Sequence, residues 1–328
     1  MKDLKAIRSP LVFDPLYKTD LRSFGLDRPF ALDRGELVLA KLQEEWPDLT
    51  ALKPVPITDQ DILTVHTSEY LESLRQNETW LDLFELTPAD CDFAVASRQL
   101  HEILDDFKLK SGGTKLAVEL ALEFGHGANL GGGYHHAFPD SGRGYCAIND
   151  IAIAITAAMQ KGLARKVLIV DVDFHQGDGT ALIFRDNADV FTLSVHSQVG
   201  WPEEKQTSDL DVPIYEHEEH LYLEKLSDAV DLALKKFTPD LVLFVAGSDP
   251  YEKDVLPGTT FIRLSLEQLR WRDEYVIDKF SILGIPLSMV FAGGYGPHVW
   301  EVHYWATRRL LERSVFLAGS QSHTNSLP

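Results

Sequence analysis

KVLIVDVDFHQGDG fills residues 166–179. Val167, Leu168, Ile169 and Val170 form an unbroken aliphatic run, which predicts a short strand buried on both faces. Asp171, Asp173 and His175 follow at alternate positions, and alternate residues of extended backbone share a face. One aspartate at a strand end is ordinarily a helix cap or a solvated carboxylate. Two carboxylates and an imidazole in register are costly to bury unless a cation compensates them. Asp173 and His175 therefore suit a metal.

Outward from this segment the pattern alternates. Residues 112–125 (GGTKLAVELALEFG) and 146–162 (CAINDIAIAITAAMQKG) have helical apolar spacing and end at glycine, the second starting from Asn149 and Asp150. Residues 180–186 read as a short helix, 189–196 (DVFTLSVH) as a strand and 220–237 as an amphipathic helix. Residues 240–247 (DLVLFVAG) and 285–294 (IPLSMVFAGG) read as strands, and 298–313 as a closing helix. The expected fold is α/β, a mostly parallel sheet with helices on both faces. No repeat, low-complexity tract or Pro/Ser-rich linker divides the sequence, so residues 1–328 are expected to form one domain.

The polar residues fall at equivalent places on the expected strands. Asp171, Asp173 and His175 end one, Ser194 and His196 the next, Asp249 a third, and Gly293, Gly294 and Tyr295 a fourth. In open parallel sheets the ligand crevice lies outside the carboxyl ends, so these residues should converge. Asp249 can complete a three-ligand set that leaves a position open for water and substrate, as catalytic zinc sites do. Iron or manganese would also accept an Asp/His set.

Residues 129–150 (NLGGGYHHAFPDSGRGYCAIND) carry two adjacent imidazoles, His135 and His136. Water beside a metal needs a base, and the leaving group needs an acid; imidazole suits both near neutrality. Each histidine needs a carboxylate to fix its tautomer, which pairs His136 with Asp178 and His135 with Asp171. His136 is the expected base, with His135 tuning charge and orientation. Glycines 131–133 suit a tight turn and close backbone approach. The Tyr295 hydroxyl could donate to a carbonyl oxygen that gains charge, while Gly293 and Gly294 leave its loop room to move.

Bulk properties narrow the partners. With 45% hydrophobic and 25% charged residues the chain has an ordinary globular composition, not a disordered one. Its 50 acidic against 31 basic residues, a net −19, argue against phosphate-rich partners, so neither nucleic acid nor an acidic membrane is expected. The amino terminus lacks an apolar signal region and no window suits a membrane span, which predicts a soluble, unexported chain. Cys91 and Cys146 are the two cysteines; a cytoplasmic protein without a disulfide framework is expected, and any metal must use His, Asp or Glu.

Taken together in order, GGGYHHA, GYCAINDIAIA, VDVDFHQGDGT, TLSVH, AGSDP and AGGYG resemble the histone deacetylase superfamily, in its bacterial deacylase branch. The resemblance covers most of the chain and is strongest over residues 112–300. It implies a zinc-dependent hydrolase removing acyl groups from lysine-like amines, on an arginase/deacetylase fold with about eight parallel strands. It implies one zinc on Asp173, His175 and Asp249, and a structural potassium at Asp171, Asp173, His175, Ser194 and Val195, partly through backbone oxygens. A second potassium would use Phe184, Asn187 and Val190. Tyr145 and Trp201 would wall an acyl-lysine tunnel, with Gly133 at its base and Arg34 facing an internal cavity.

Three departures stand out. Gln176 follows His175 where many eukaryotic class I members repeat histidine, closer to class IV and bacterial relatives. Tyr134 replaces the proline usual in polyamine-specific and class II branches, and no peptide-gripping rim aspartate is evident. The leading expectation is hydrolysis of N-ε-acyl-lysine in proteins or peptides; an acetylpolyamine amidohydrolase, a two-metal ureohydrolase and a silent acyl-lysine binder are the rivals. The acyl chain and oligomeric state are not encoded in these patterns.

Overall fold

A computed structural model of the chain describes residues 9–26 and 33–324, with side chains as far as residue 314. Its elements run β1 (Leu11–Val12), α1 (Arg34–Glu45), α2 (Asp59–Ile62), α3 (Ser68–Ser73), α4 (Asn77–Leu83), α5 (Ile103–Phe124), β2 (His126–Asn129) and α6 (Asp150–Gln160). They continue as β3 (Val167–Asp171), α7 (Asp178–Phe184), β4 (Val190–Ser197), β5 (Leu210–Ile214), α8 (Tyr222–Lys236), β6 (Leu241–Val245), α9 (Leu266–Leu283), β7 (Leu287–Val290) and α10 (Val299–Thr324). Among the described residues the sheet has seven strands, where about eight were expected, in the order β1-β2-β7-β6-β3-β4-β5. Every pairing is parallel.

Alternation along each strand sorts side chains between two cores. Val167, Ile169, Leu241 and Leu243 pack with Ile151, Ala154 and Ile155 of α6 and Val118 of α5. Leu168, Val170, Val242 and Phe244 face the other way, against α8 (Leu226, Val230), α9 (Val276, Phe280), α10 (Val302, Leu310) and α1 (Val38, Leu42). A smaller apolar cluster gathers Trp80, Phe84, Leu100, Phe107 and Ile148 beside the sheet's carboxyl edge.

From β3 the chain steps outward to β4 and β5; from β6 it steps the opposite way to β7. The neighbours β3 and β6 therefore flank the point where the strand order reverses. A crevice opens at that point in sheets of this kind. Asp171 is the last residue of β3 and lies in register with Val245 of β6 and Ser194 of β4. The topology thus delivers Asp171, Asp173, His175 and Asp249 to one place.

Candidate active site

Past the ends of β3 and β6, Asp173, His175 and Asp249 each offer a ligand atom within 4.8 Å of the other two, and all three are buried. His175 Nδ1 is 2.9 Å from Asp249 Oδ2 and 3.2 Å from Asp173 Oδ1. Ligands about 2.0 Å from a tetrahedral ion lie about 3.3 Å apart, so the spacing fits a zinc-sized dication. Backbone N–H groups orient the carboxylates: Phe174 donates to Asp249 Oδ1 at 2.9 Å and Gly293 to Asp173 Oδ2 at 2.8 Å. A Cβ at Gly247 would fall 2.2 Å from Asp173 Oδ2, and one at Gly293 2.6 Å from Asp249 Oδ2. Only glycine leaves the carboxylates this room. Burial and the Asp173 charge push Asp249 up to about 7. Burial would raise Asp173 too, but His135 and His175 hold it well below the usual carboxylate range. A dication would relieve this crowding.

Each adjacent imidazole has its own carboxylate. His135 Nδ1 lies 2.7 Å from Asp171 Oδ2, and His136 Nδ1 2.6 Å from Asp178 Oδ1. Burial alone would depress His135, yet Asp171 and Asp173 outweigh it and push the group up to about 10. Burial and the His135 charge outweigh Asp178 and bring His136 down to about 4. At neutral pH His136 is thus the uncharged imidazole of the pair. The loop that carries the pair is pinned by Asp150, whose buried carboxylate accepts the N–H groups of Gly133 (2.9 Å) and Tyr134 (2.7 Å) and the Thr114 hydroxyl. Gly133 has φ +90°, and a Cβ there would meet the Ala292 backbone at 2.6 Å.

One cavity joins these groups. His135, His136, Asp173, His175, Gly293 and Tyr295 line its centre. Burial and the Asp249 and Asp173 charges hold the Tyr295 phenol well above its ordinary value, so it is a neutral donor. Its backbone N–H is fixed by Asp254 Oδ2 at 2.7 Å, and the Tyr145 ring stands 6.2 Å away, edge to face. Tyr145 and Phe84 form aromatic cavity wall, rings near-parallel with centres 6.5 Å apart. Trp201 packs edge-on against His136 at 4.6 Å. Arg34, Lys110, Thr19, Leu130 and Gly133 line the same cavity. Arg34 donates to the carbonyls of Ala292 and of Gly293 (3.1 Å), which ties α1 to the Tyr295 loop.

The profile of the histone deacetylase domain matches residues 28–310, well over half of the chain. The chain belongs to the histone deacetylase family. Histone deacetylase 2 of Arabidopsis thaliana is 32% identical over 310 residues, covering 89% of this chain and 78% of that protein. An uncharacterized protein of Picosynechococcus sp. is 42% identical over 194 residues, 59% of this chain and 64% of its own length. An acetylpolyamine aminohydrolase structure from Burkholderia pseudomallei has a TM-score of 0.68 at 21% identity, covering 93% of this chain and 97% of that one; that likeness speaks for the fold. As a member of the deacetylase family the chain is a hydrolase.

For this deacetylase-family chain, the residues implied for the first potassium site adjoin the cluster. Asp171 pairs with Ser194 across β3 and β4, and Val195 follows. Phe184, Asn187 and Val190 bound two successive turns, where the Asn187 N–H bonds the Phe184 carbonyl at 2.9 Å and the Val190 N–H the Asn187 carbonyl at 3.1 Å. Beside the aromatic wall, Glu85 is exposed, at φ +55°, with its Oε2 accepting from the Tyr145 hydroxyl at 3.4 Å. Asp150 reads in the sequence as a helix start and not as the anchor of the histidine loop; that role, and those of Asp254 and Arg143, depend on loops whose path no periodicity reveals. No helix among the described residues is long and apolar enough to cross a membrane.

Proposed function

We propose that the chain hydrolyses the amide of N-ε-acyl-lysine in proteins or peptides, using one zinc ion held by Asp173, His175 and Asp249. The observation that carries this reading is the meeting of Asp173, His175, two carboxylate-held histidines and Tyr295 around one cavity, with an Asp249 ligand atom within 4.8 Å of those of Asp173 and His175. Bound zinc would act as a Lewis acid and lower the pKa of water. Tyr145 and Phe84 would flank the aliphatic stem of the lysine. The Tyr295 hydroxyl would donate to the scissile carbonyl oxygen as it gains charge. His136, held at Nδ1 by Asp178, takes a proton from the attacking water at Nε2. His135, held as a cation by Asp171, keeps the neighbouring imidazole neutral, and an imidazolium then protonates the departing amine.

A structural potassium at Asp171, Asp173, His175, Ser194 and Val195, a second at Phe184, Asn187 and Val190, and a cytoplasmic location complete the reading. An acylated polyamine is the competing substrate, since a net charge of −19 attracts any cation. Turnover of an acetyl-lysine peptide, of the same peptide with longer acyl groups and of acetylspermidine separates the two. Faster hydrolysis of at least one acyl-lysine peptide is expected; a kcat/KM highest for acetylspermidine would overturn the assignment.

A further inference from the structure

Arg143 lies in the loop between the histidine pair and α6, its backbone locked to Cys146 by two hydrogen bonds of 2.9 and 3.2 Å. Its Nη1 stands 3.4 Å from Asp178 Oδ2. That oxygen is buried and has no hydrogen-bond partner among the described residues, so the guanidinium is its counter-charge. Lys205 also acts on Asp178 but donates its protons to the carbonyls of Gly200 (2.7 Å) and Pro202 (2.6 Å).

The same guanidinium sits over two rings, 4.8 Å from the centre of Trp201 and 5.1 Å from that of Phe138. Trp201 in turn presses its edge on the His136 ring, at 84° between planes. The following residue closes the gap: a Cβ on Gly144 would fall 2.6 Å from Trp201 and 2.8 Å from His136 Cδ2. The other dyad has no such support. Asp171 spends one oxygen on His135 (2.7 Å) and the other on the Asp173 N–H (3.1 Å), with no arginine or lysine in ion-pair contact among the described residues.

We propose that Arg143 is a positioning residue for the hydrolysis: paired with Asp178 and stacked on Trp201, it holds the His136 imidazole with its Nδ1–H on Asp178 and its Nε2 in the cavity. The reaction named here rests on the function proposed above; the positioning itself does not. A planar guanidinium can pair and stack at once, whereas an ammonium keeps only the charge.

The test compares R143Q and R143K with the parent by 15N–1H spectra of labelled histidine in the zinc-loaded protein, and by steady-state kinetics on an acetyl-lysine peptide. In R143Q the hydrogen-bonded Nδ1–H resonance of His136 should weaken or move, and kcat should fall by about 10- to 100-fold, the usual cost of removing an outer partner. KM should stay within about threefold and zinc content unchanged, and R143K should recover part of kcat. An unshifted His136 resonance with kcat within about twofold would overturn the proposal, as would a loss confined to KM. A parent protein that hydrolyses no acyl-lysine while its His136 resonance still responds to R143Q would refute the function and leave the positioning standing.

Discussion

His135 and His136 are neighbours in sequence with opposite electrostatics. Asp171 and Asp173 together hold His135 up at about 10, whereas burial and the charge on His135 bring His136 down to about 4. His136→Ala should therefore abolish turnover while zinc stays bound, checked by kinetics beside metal analysis; substantial residual turnover would refute its role as base. Tyr295→Phe removes the hydroxyl donor and keeps the ring, so kcat should drop by about two to three orders of magnitude, in line with other donors of this kind. A minor effect would make Tyr295 structural. These residues are legible because polar groups follow the aliphatic run at alternate positions and sequence motifs mark the histidines, although β3 stops at Asp171 and Asp173 and His175 lie in the bend beyond it. Glu85 and Arg143 are not, since each acquires its meaning from a ring or carboxylate brought by a distant loop.

Elements with an apolar period were legible, and those without one were not. β3, β4, β6 and β7 read as strands, and α6, α8 and α10 as helices, because their buried faces are aliphatic. β2 has the sequence HGAN and is wholly buried. It is held by individual polar contacts, His126 Nε2 with Ser281 Oγ at 2.7 Å and the Tyr17 hydroxyl donating to Asn129 Oδ1 at 2.8 Å, so hydrophobicity carries no trace of it. α5 starts at Ile103, nine residues before the predicted start at Gly112, since Asp105, Asp106, Lys108 and Lys110 obscure its first turns.

The sequence of α9, LEQLRWRDEYVIDKFSIL, conceals a buried ion pair, Arg272 Nε to Asp273 Oδ1 at 2.7 Å. Arg272 also donates to the Val172 carbonyl at 3.1 Å, between Asp171 and Asp173, so α9 steadies the loop that carries Asp173. Arg272→Met strands Asp273 in the core and should cost about 3–5 kcal/mol in urea unfolding. The double variant R272M/D273L should recover part of that loss. A single variant as stable as the parent would contradict the ion pair's role.

Among the described residues, four histidines outside the cluster, His66, His126, His196 and His303, are buried, and burial lowers each of them. His66 bridges loops, its Nδ1–H donating to the Phe138 carbonyl at 2.8 Å and its Nε2 accepting the Asn149 N–H at 2.9 Å. Burial brings His66, His126 and His196 each down from 6.5 to about 4. Between those values the unfolded chain binds protons that the fold refuses. Their contribution to stability is therefore complete above about pH 6.5 and is lost as pH falls toward 4, by up to about 1.4 kcal/mol per pH unit for each group. Asp249, at about 7, and Asp254 and Asp273, at about 6, take up protons in the fold over the same range and oppose this loss, so the test is a difference: His66→Gln should lose less urea midpoint between pH 7 and pH 5 than the parent. The same loss in both proteins would mean that the His66 imidazole is protonated within the fold.

The proposed function belongs to the same scale, because Asp173, His175 and Asp249 come together where the strand order reverses between β3 and β6. Zinc titrated into chelator-treated protein, with lysine release from an acyl-lysine peptide as readout, tests the claim most directly. Turnover should rise from near zero and level off at one zinc per chain. Turnover that ignores zinc, or that needs two manganese ions per chain, would contradict it.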